Sequence, residues 1–179
     1  MPIEIVIDGT DGAGKTSFVN FLLKKIRTRS LTVDTVAPYR EQEVYPLWEQ
    51  QPLQAAKIIN GIIEAHRIRL QHLDCIVWDR GWPTAFVSTD NATARDCFNP
   101  LPTTTILLLG STQKTRAKAL QLNSPGEWVS DDALIDYYNM RYHDLPQTYQ
   151  QATLACYHDT NGLFEFELIW EQILPAFST

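Results

Sequence analysis

The chain has 179 residues, 44% hydrophobic and 20% charged, with a formal net charge of −6. That length suits one domain with a sizeable core, and the acidic balance argues against nucleic acid as a partner. No apolar run approaches the ~20 residues of a membrane span, and Cys75, Cys97 and Cys156 are too widely spaced for a metal-ligand pattern. We expect reduced thiols in a cytoplasmic protein. The N-terminus, where Glu4 precedes a glycine-rich loop, does not read as a signal peptide.

Ile3 to Ile7 is short, apolar and β-branched, which predicts a strand. Gly9-Thr10-Asp11-Gly12-Ala13-Gly14-Lys15-Thr16 follows at once. Lys15 to Arg27 then carries the helical stripe Phe18, Val19, Phe21, Leu22 and Ile26. Leu31 to Val36 reads as a second strand and Pro38 to Pro52 as irregular. Leu53 to Leu73 predicts a long amphipathic helix, and Cys75 to Trp78 a buried strand ending at Asp79. Trp82 to Val87 reads as a helix, Asn91 to Pro102 as a loop and Thr105 to Leu109 as a strand. Thr112 to Leu122 reads as a helix broken by Asn123-Ser124-Pro125-Gly126. Ser130-Asp131-Asp132 caps a helix running to about Gln151. Leu154 to Tyr157 is the last strand and Phe164 to Leu174 the last helix. Strands separated by helices imply an α/β chain: a three-layer α/β/α P-loop NTPase fold with a five-stranded parallel sheet. We expect a single domain over residues 1–179, without internal repeats.

The spacing Gly-x-x-x-x-Gly-Lys-Thr, after a strand and before a helix, is the context a phosphate-binding loop requires. Gly9, Gly12 and Gly14 let the backbone approach an anion, and the inward N–H groups of the loop through Ala13 and Ser17 form a nest. The dipole of the helix that follows adds to the attraction. Lys15 is expected at the β- and γ-phosphates of ATP, with the Thr16 hydroxyl on Mg²⁺. This motif alone does not separate kinase, ATPase and GTPase. No Asn-Lys-x-Asp follows the strand ending at Leu109, which argues against a GTPase. Asp79 and Arg80 close the third strand. A carboxylate there can hold Mg²⁺ through water, and the planar donors of Arg80 suit phosphoryl oxygens. Phosphoryl transfer needs such positive charge between two anions, so Lys15, Asp79 and Arg80 are the candidate catalytic residues.

With those residues placed, the chain resembles the thymidylate kinases of the nucleoside-monophosphate-kinase-like P-loop group. The resemblance rests on Ile7 to Thr16, including the acid Asp11, and on Ala65-His66-Arg67 ahead of Asp79-Arg80. It implies that Asp11 contacts the acceptor's sugar 3′-hydroxyl and that Arg67 holds the acceptor's phosphate or base. It also implies that Asp79 organises metal and acceptor, Arg80 touches the transferring phosphate, and Arg116 stacks on adenine. Arg40 stands where the family grips the acceptor phosphate, although Glu41 is followed by Gln42. Two departures stand out. Gly81 and Trp82 replace the family's Tyr after Asp-Arg, and the lid segment, Gln121 to Val129, has no arginine, so that Arg116, Lys118 or Arg141 would have to substitute. Trp82, Phe86 and Trp48 are candidates for a base-stacking wall, with core packing as the competing reading. His158 to Gly162, after the last strand, would frame the adenine. The expected activity is ATP-dependent phosphorylation of a deoxynucleoside monophosphate, dTMP above others. The alternative is a deoxynucleoside kinase, with Glu41 or Glu43 as the base for a 5′-hydroxyl, or else another nucleotide-binding protein. The resemblance further implies a homodimer acting on small-molecule nucleotides.

Overall fold

Ile3–Gly9 (β1) runs through the middle of a five-stranded parallel sheet ordered β2-β3-β1-β4-β5. The other strands are Val33–Val36 (β2), Cys75–Asp79 (β3), Thr104–Leu109 (β4) and Leu154–His158 (β5). The computed structural model describes residues 1–10, 13–40, 44–98, 104–109, 132–148, 154–158 and 165–177. The α/β fold and five parallel strands expected from the sequence are present.

The helices are Lys15–Arg27 (α1), Tyr45–Gln50 (α2), Pro52–Leu70 (α3), Trp82–Ser88 (α4), Ala92–Arg95 (α5), Asp132–Thr148 (α6) and Phe166–Ile173 (α7). Side chains alternate across each strand. Ile5, Ile7, Val77, Ile106 and Leu108 meet Phe18, Leu22 and Ile26 of α1 and Ile169 and Trp170 of α7 on one face. Val6, Ile76, Trp78 and Leu107 meet α3, α4 and Tyr142 and Leu145 of α6 on the other. Phe18, Leu22 and Ile26 are 0% exposed, and each buried side chain of this kind contributes roughly 1.5–3 kcal/mol.

Three departures from the expectation have physical reasons. β2 begins at Val33 because Thr32 donates its N–H and hydroxyl to the Asp74 carboxylate, at 2.8 and 2.7 Å. The segment read as irregular contains α2, whose Pro46 sits in the first turn, where a missing N–H costs nothing. The loop after α4 contains α5, capped by Asn91, whose side-chain oxygen accepts the Ala94 N–H. The helix expected over Thr112 to Leu122 lies outside the described residues.

Cys75 is 0% exposed, and burial, reinforced by the nearby Asp74 and Glu4 carboxylates, pushes its thiol up to about 12. It is therefore expected to resist a maleimide at pH 8 while the half-exposed Cys97 reacts. Peptide mass spectrometry after a timed pulse checks this; equal labelling of the two would contradict it.

The register brings the chemistry to one edge. Ile7 lies opposite Asp79, and Gly9 opposite Leu108. Parallel strands end together, so the glycine-rich loop and the Asp79-Arg80 pair emerge side by side. Neighbours of β1 come from both later parts of the chain, which makes this a switch point where α/β sheets bind ligands.

Candidate active site

The loop leaves β1 at Gly9, with φ 137°, and enters α1 through Gly14, with φ 85°. Three observations fit an anion here. No side chain caps α1, and its first turn holds no acidic residue. A Cβ built on Gly14 would meet nothing within 4 Å, so the cradle is open at that point. The Thr10 hydroxyl is buried without a hydrogen-bond partner. Lys15 is only 7% exposed and donates from Nζ to the Thr10 carbonyl at 2.8 Å, which folds its charge back over the loop. Ala13 is buried, while Thr16 and Ser17 face solvent.

Asp79 is buried at the end of β3. Arg40 reaches over it: Nη2 lies 3.4 Å from Asp79 Oδ2 and 3.4 Å from Thr16 Oγ1. The two oxygens expected to serve Mg²⁺ thus already share one cationic group. Oxygen donors of this kind suit a hard divalent ion that keeps most of its waters, so the pair fits the metal. Arg40 must vacate that place for the metal to enter. Arg40→Ala is expected to lower the Mg²⁺ concentration that half-saturates nucleotide binding by about two- to fivefold, the worth of an exposed ion pair. A thermal-shift titration of Mg²⁺ at fixed ATP reads this, and an unchanged or raised requirement would count against it.

Arg80 follows with φ 74°, a left-handed conformation that a residue with a side chain adopts only under constraint. Its N–H donates to the Ile7 carbonyl at 2.9 Å, and its Nη1 to the Gly9 carbonyl at 3.1 Å. The guanidinium therefore lies against the loop. Beneath it sits Asp8, 0% exposed, whose carboxylate accepts from Gly9, Gly81, Thr84 and Tyr142. Tyr39, also buried, donates its hydroxyl to the Gly81 carbonyl at 3.0 Å. Gly81 itself passes so close to β1 that a Cβ would stand 2.8 Å from Val6. A side chain directly after Asp-Arg would therefore force the Val6 side chain to shift.

The fold is shared with solved proteins. The chain is similar to three structures of deoxyadenosine kinase from M. mycoides: with dCMP product and a flexible dCDP (TM-score 0.66, 14% identity, 98% of this chain and 99% of that one), with dCTP (0.65, 16%, 97% and 100%) and with dATP (0.68, 15%, 96% and 100%). At this identity the likeness establishes the fold alone. No protein-family model matches the sequence, and no curated protein matches it.

Other expected site residues lie elsewhere. Arg67 sits beside Glu4, toward the far end of β1 from the loop. Its Nε donates to both Glu4 oxygens at 3.0 and 3.1 Å, and its Nη1 to Glu64 at 2.6 Å. These two carboxylates outweigh the cost of burial and raise its already high pKa. Trp82 is buried, with its Nε1 donating to Thr105 Oγ1 at 3.0 Å, and packs edge-on against Phe86. Phe86 is core, with the Arg95 guanidinium over its ring. Trp48 is core against Phe98. Arg141 is held by Asp90 and by the carbonyls of Phe86 and Thr89, so it fastens α6 to the end of α4. A cavity of about 270 Å³ opens under Gly81, walled by Val6, Asn60, Trp78, Trp82 and Phe98 and bordered by the Glu4–Arg67–Glu64 cluster. Asp11, Gly12, Glu41, Glu43, Arg116, Lys118, the lid segment and residues 159–162 lie outside the described residues.

Asp8, Thr84, Tyr142 and Tyr39 escape a reading by motif. Asp8 alone leaves a trace in the sequence, as a carboxylate directly before the glycine-rich loop.

Proposed function

We propose that this protein transfers the γ-phosphoryl group of ATP to the 5′-hydroxyl of a deoxynucleoside. The observation that carries this choice of acceptor is the state of Arg67. The resemblance to thymidylate kinases puts Arg67 of α3 on a monophosphate acceptor, and that guanidinium is already matched by Glu4 and Glu64. A neutral nucleoside makes no such demand. The full-length likeness to deoxyadenosine kinases supports the same reading.

In this reading the loop residues Gly9, Asp11, Gly12, Ala13, Gly14 and Ser17 cradle the phosphates, with Lys15 on the β- and γ-oxygens. Thr16 and Asp79 would hold Mg²⁺, which when bound neutralises phosphate charge. Arg80 lies over the loop to meet charge on the transferring group. A carboxylate, Glu41 or Glu43, takes the hydroxyl proton. The acceptor's base would enter the cavity under Gly81, whose aromatic walls and Asn60 amide suit a flat heterocycle. Catalysis is positioning and charge neutralisation, with no covalent intermediate.

One observation favours the dTMP kinase reading: Arg40, exposed beside Asp79 and Thr16, is placed to grip an acceptor phosphate once displaced. A panel of ATP with each deoxynucleoside and each deoxynucleoside monophosphate separates the two. Turnover of nucleosides supports the proposal, turnover of monophosphates alone supports the second reading, and no turnover at high enzyme would sink both. A homodimer would use the outer helices, where Ile68, Tyr137 and Met140 are exposed; light scattering measures it.

A further inference from the structure

We infer that Asp8, Thr84 and Tyr142 form a buried clamp that positions Arg80, so that α6 helps to set the catalytic geometry. The proposal rests on the phosphotransferase reading for its kinetic test only. Asp8 is fully buried, and its two oxygens accept from five donors. Oδ1 takes the Gly9 N–H, the Thr84 hydroxyl and the Tyr142 hydroxyl, each at 2.8 Å. Oδ2 takes the N–H groups of Gly81 and Thr84 at 3.0 and 3.1 Å. One carboxylate thus binds the start of the loop, the turn after β3, the first turn of α4 and the middle of α6.

Arg80 sits inside this net. Its left-handed backbone costs about 1–3 kcal/mol and persists only where the surroundings over-determine it. The Ile7 carbonyl holds its own N–H, and Asp8 holds that of Gly81, so both sides of the strained residue are pinned. The side chain is pinned as well. Nη1 lies 3.1 Å from the Gly9 carbonyl, 3.4 Å from Thr84 Oγ1, 3.5 Å from Tyr142 Oη and 3.8 Å from Asp8 Oδ1.

Burial, and then the Asp8 charge, hold the Tyr142 hydroxyl well above the ordinary tyrosine range, so it keeps its proton and donates it to Asp8. The Thr84 hydroxyl lies within reach of both Asp8 oxygens and 3.1 Å from the Tyr142 hydroxyl. The Tyr142 oxygen faces Arg80 with a lone pair, and the guanidinium supplies the donor. Removing the Tyr142 hydroxyl leaves the ring's packing but takes a donor from Asp8 and an acceptor from Arg80. The Lys15–Thr10 contact and the opening of α1 involve none of these groups.

Tyr142→Phe is therefore expected to lower kcat about five- to tenfold, the worth of one buried hydrogen bond, with the KM for ATP changed less than about twofold. In an Arg80→Ala background the same substitution is expected to have no effect on kcat, because its target is gone. An equal fall in both backgrounds would mark Tyr142 as merely structural and overturn the proposal. If Tyr142→Phe does not fold, Thr84→Val carries the comparison, with Thr84→Ser expected to lose less. Should the wild-type protein turn over no acceptor, the phosphotransferase reading fails and the clamp is judged by NMR instead. The Arg80 Nε–H resonance, assigned by its absence in Arg80→Lys, is then expected to shift and broaden in Tyr142→Phe; an unmoved resonance would overturn it.

Discussion

Gly9→Ala is expected to cost both the fold's stability and nucleotide binding. At φ 137° the residue occupies a region that side-chain-bearing residues avoid. The added Cβ would stand 2.3 Å from the Leu108 carbonyl oxygen. That oxygen belongs to backbone in β4, paired with Gly9 itself across the central ladder. It cannot swing aside as a flexible side chain can, so the two middle strands must part at the edge where the loop begins. Strain and clash together cost about 3–5 kcal/mol. For a domain of this size each kcal/mol moves the melting point by about 2–4 °C, so a drop of roughly 10 °C is expected. The shift produced by ATP with Mg²⁺ should vanish as well. Circular dichroism melts with and without nucleotide check both parts. A variant that melts with the wild type would mean that Gly9 does not adopt this conformation.

Arg80 gives the second large effect, and here activity and stability separate. Arg80→Ala is expected to lower kcat by about 10²–10³-fold, the usual loss for a preorganised group facing developing charge. Nucleotide affinity should fall far less, because Lys15 and the loop remain. Arg80→Lys should recover only part, since an ammonium cannot reach the Gly9 carbonyl and a phosphoryl oxygen with one planar fork. Arg80→Gly is the informative partner. It lacks the side chain, as alanine does, but accepts φ 74° without strain. It is expected to be as inactive as the alanine variant yet to melt about 2–4 °C higher, from a difference of about 1 kcal/mol. A glycine variant less stable than the alanine one would remove the evidence for strain at this position.

Much of this architecture was legible in the sequence because its signals are local. Short segments rich in apolar and β-branched residues fall on the strands, which are four to seven residues long. The loop's spacing, squeezed between strand and helix, specifies its own conformation. Asp79 and Arg80 followed because they sit directly after an apolar strand. What escaped is tertiary. The role of Arg67 at an acceptor came from the resemblance, and the sequence does not show that Glu4, 63 positions away, is its partner. Trp82 and Phe86 are aromatic in either role, and only packing separates them: Phe86 lies in the core, while the buried Trp82 also walls the cavity under Gly81. Asp8 has partners at Thr84 and Tyr142 that no helical or strand period connects. The acceptor proposed here differs from the expected dTMP for the same reason. The dTMP expectation came from short motifs, whereas the ion cluster around Arg67 that motivates the proposal exists only once α3 lies on the sheet.

The contact between Asp8 and Tyr142 joins residues 134 positions apart. Closing so long a loop costs entropy that no nearby contact offsets, so the clamp forms only as the whole chain reaches its native topology. Turnover, more than nucleotide occupancy, should therefore report completed folding. A fragment that ends before α6 would keep every residue of the phosphate-binding motif and lack the hydroxyl that holds Arg80.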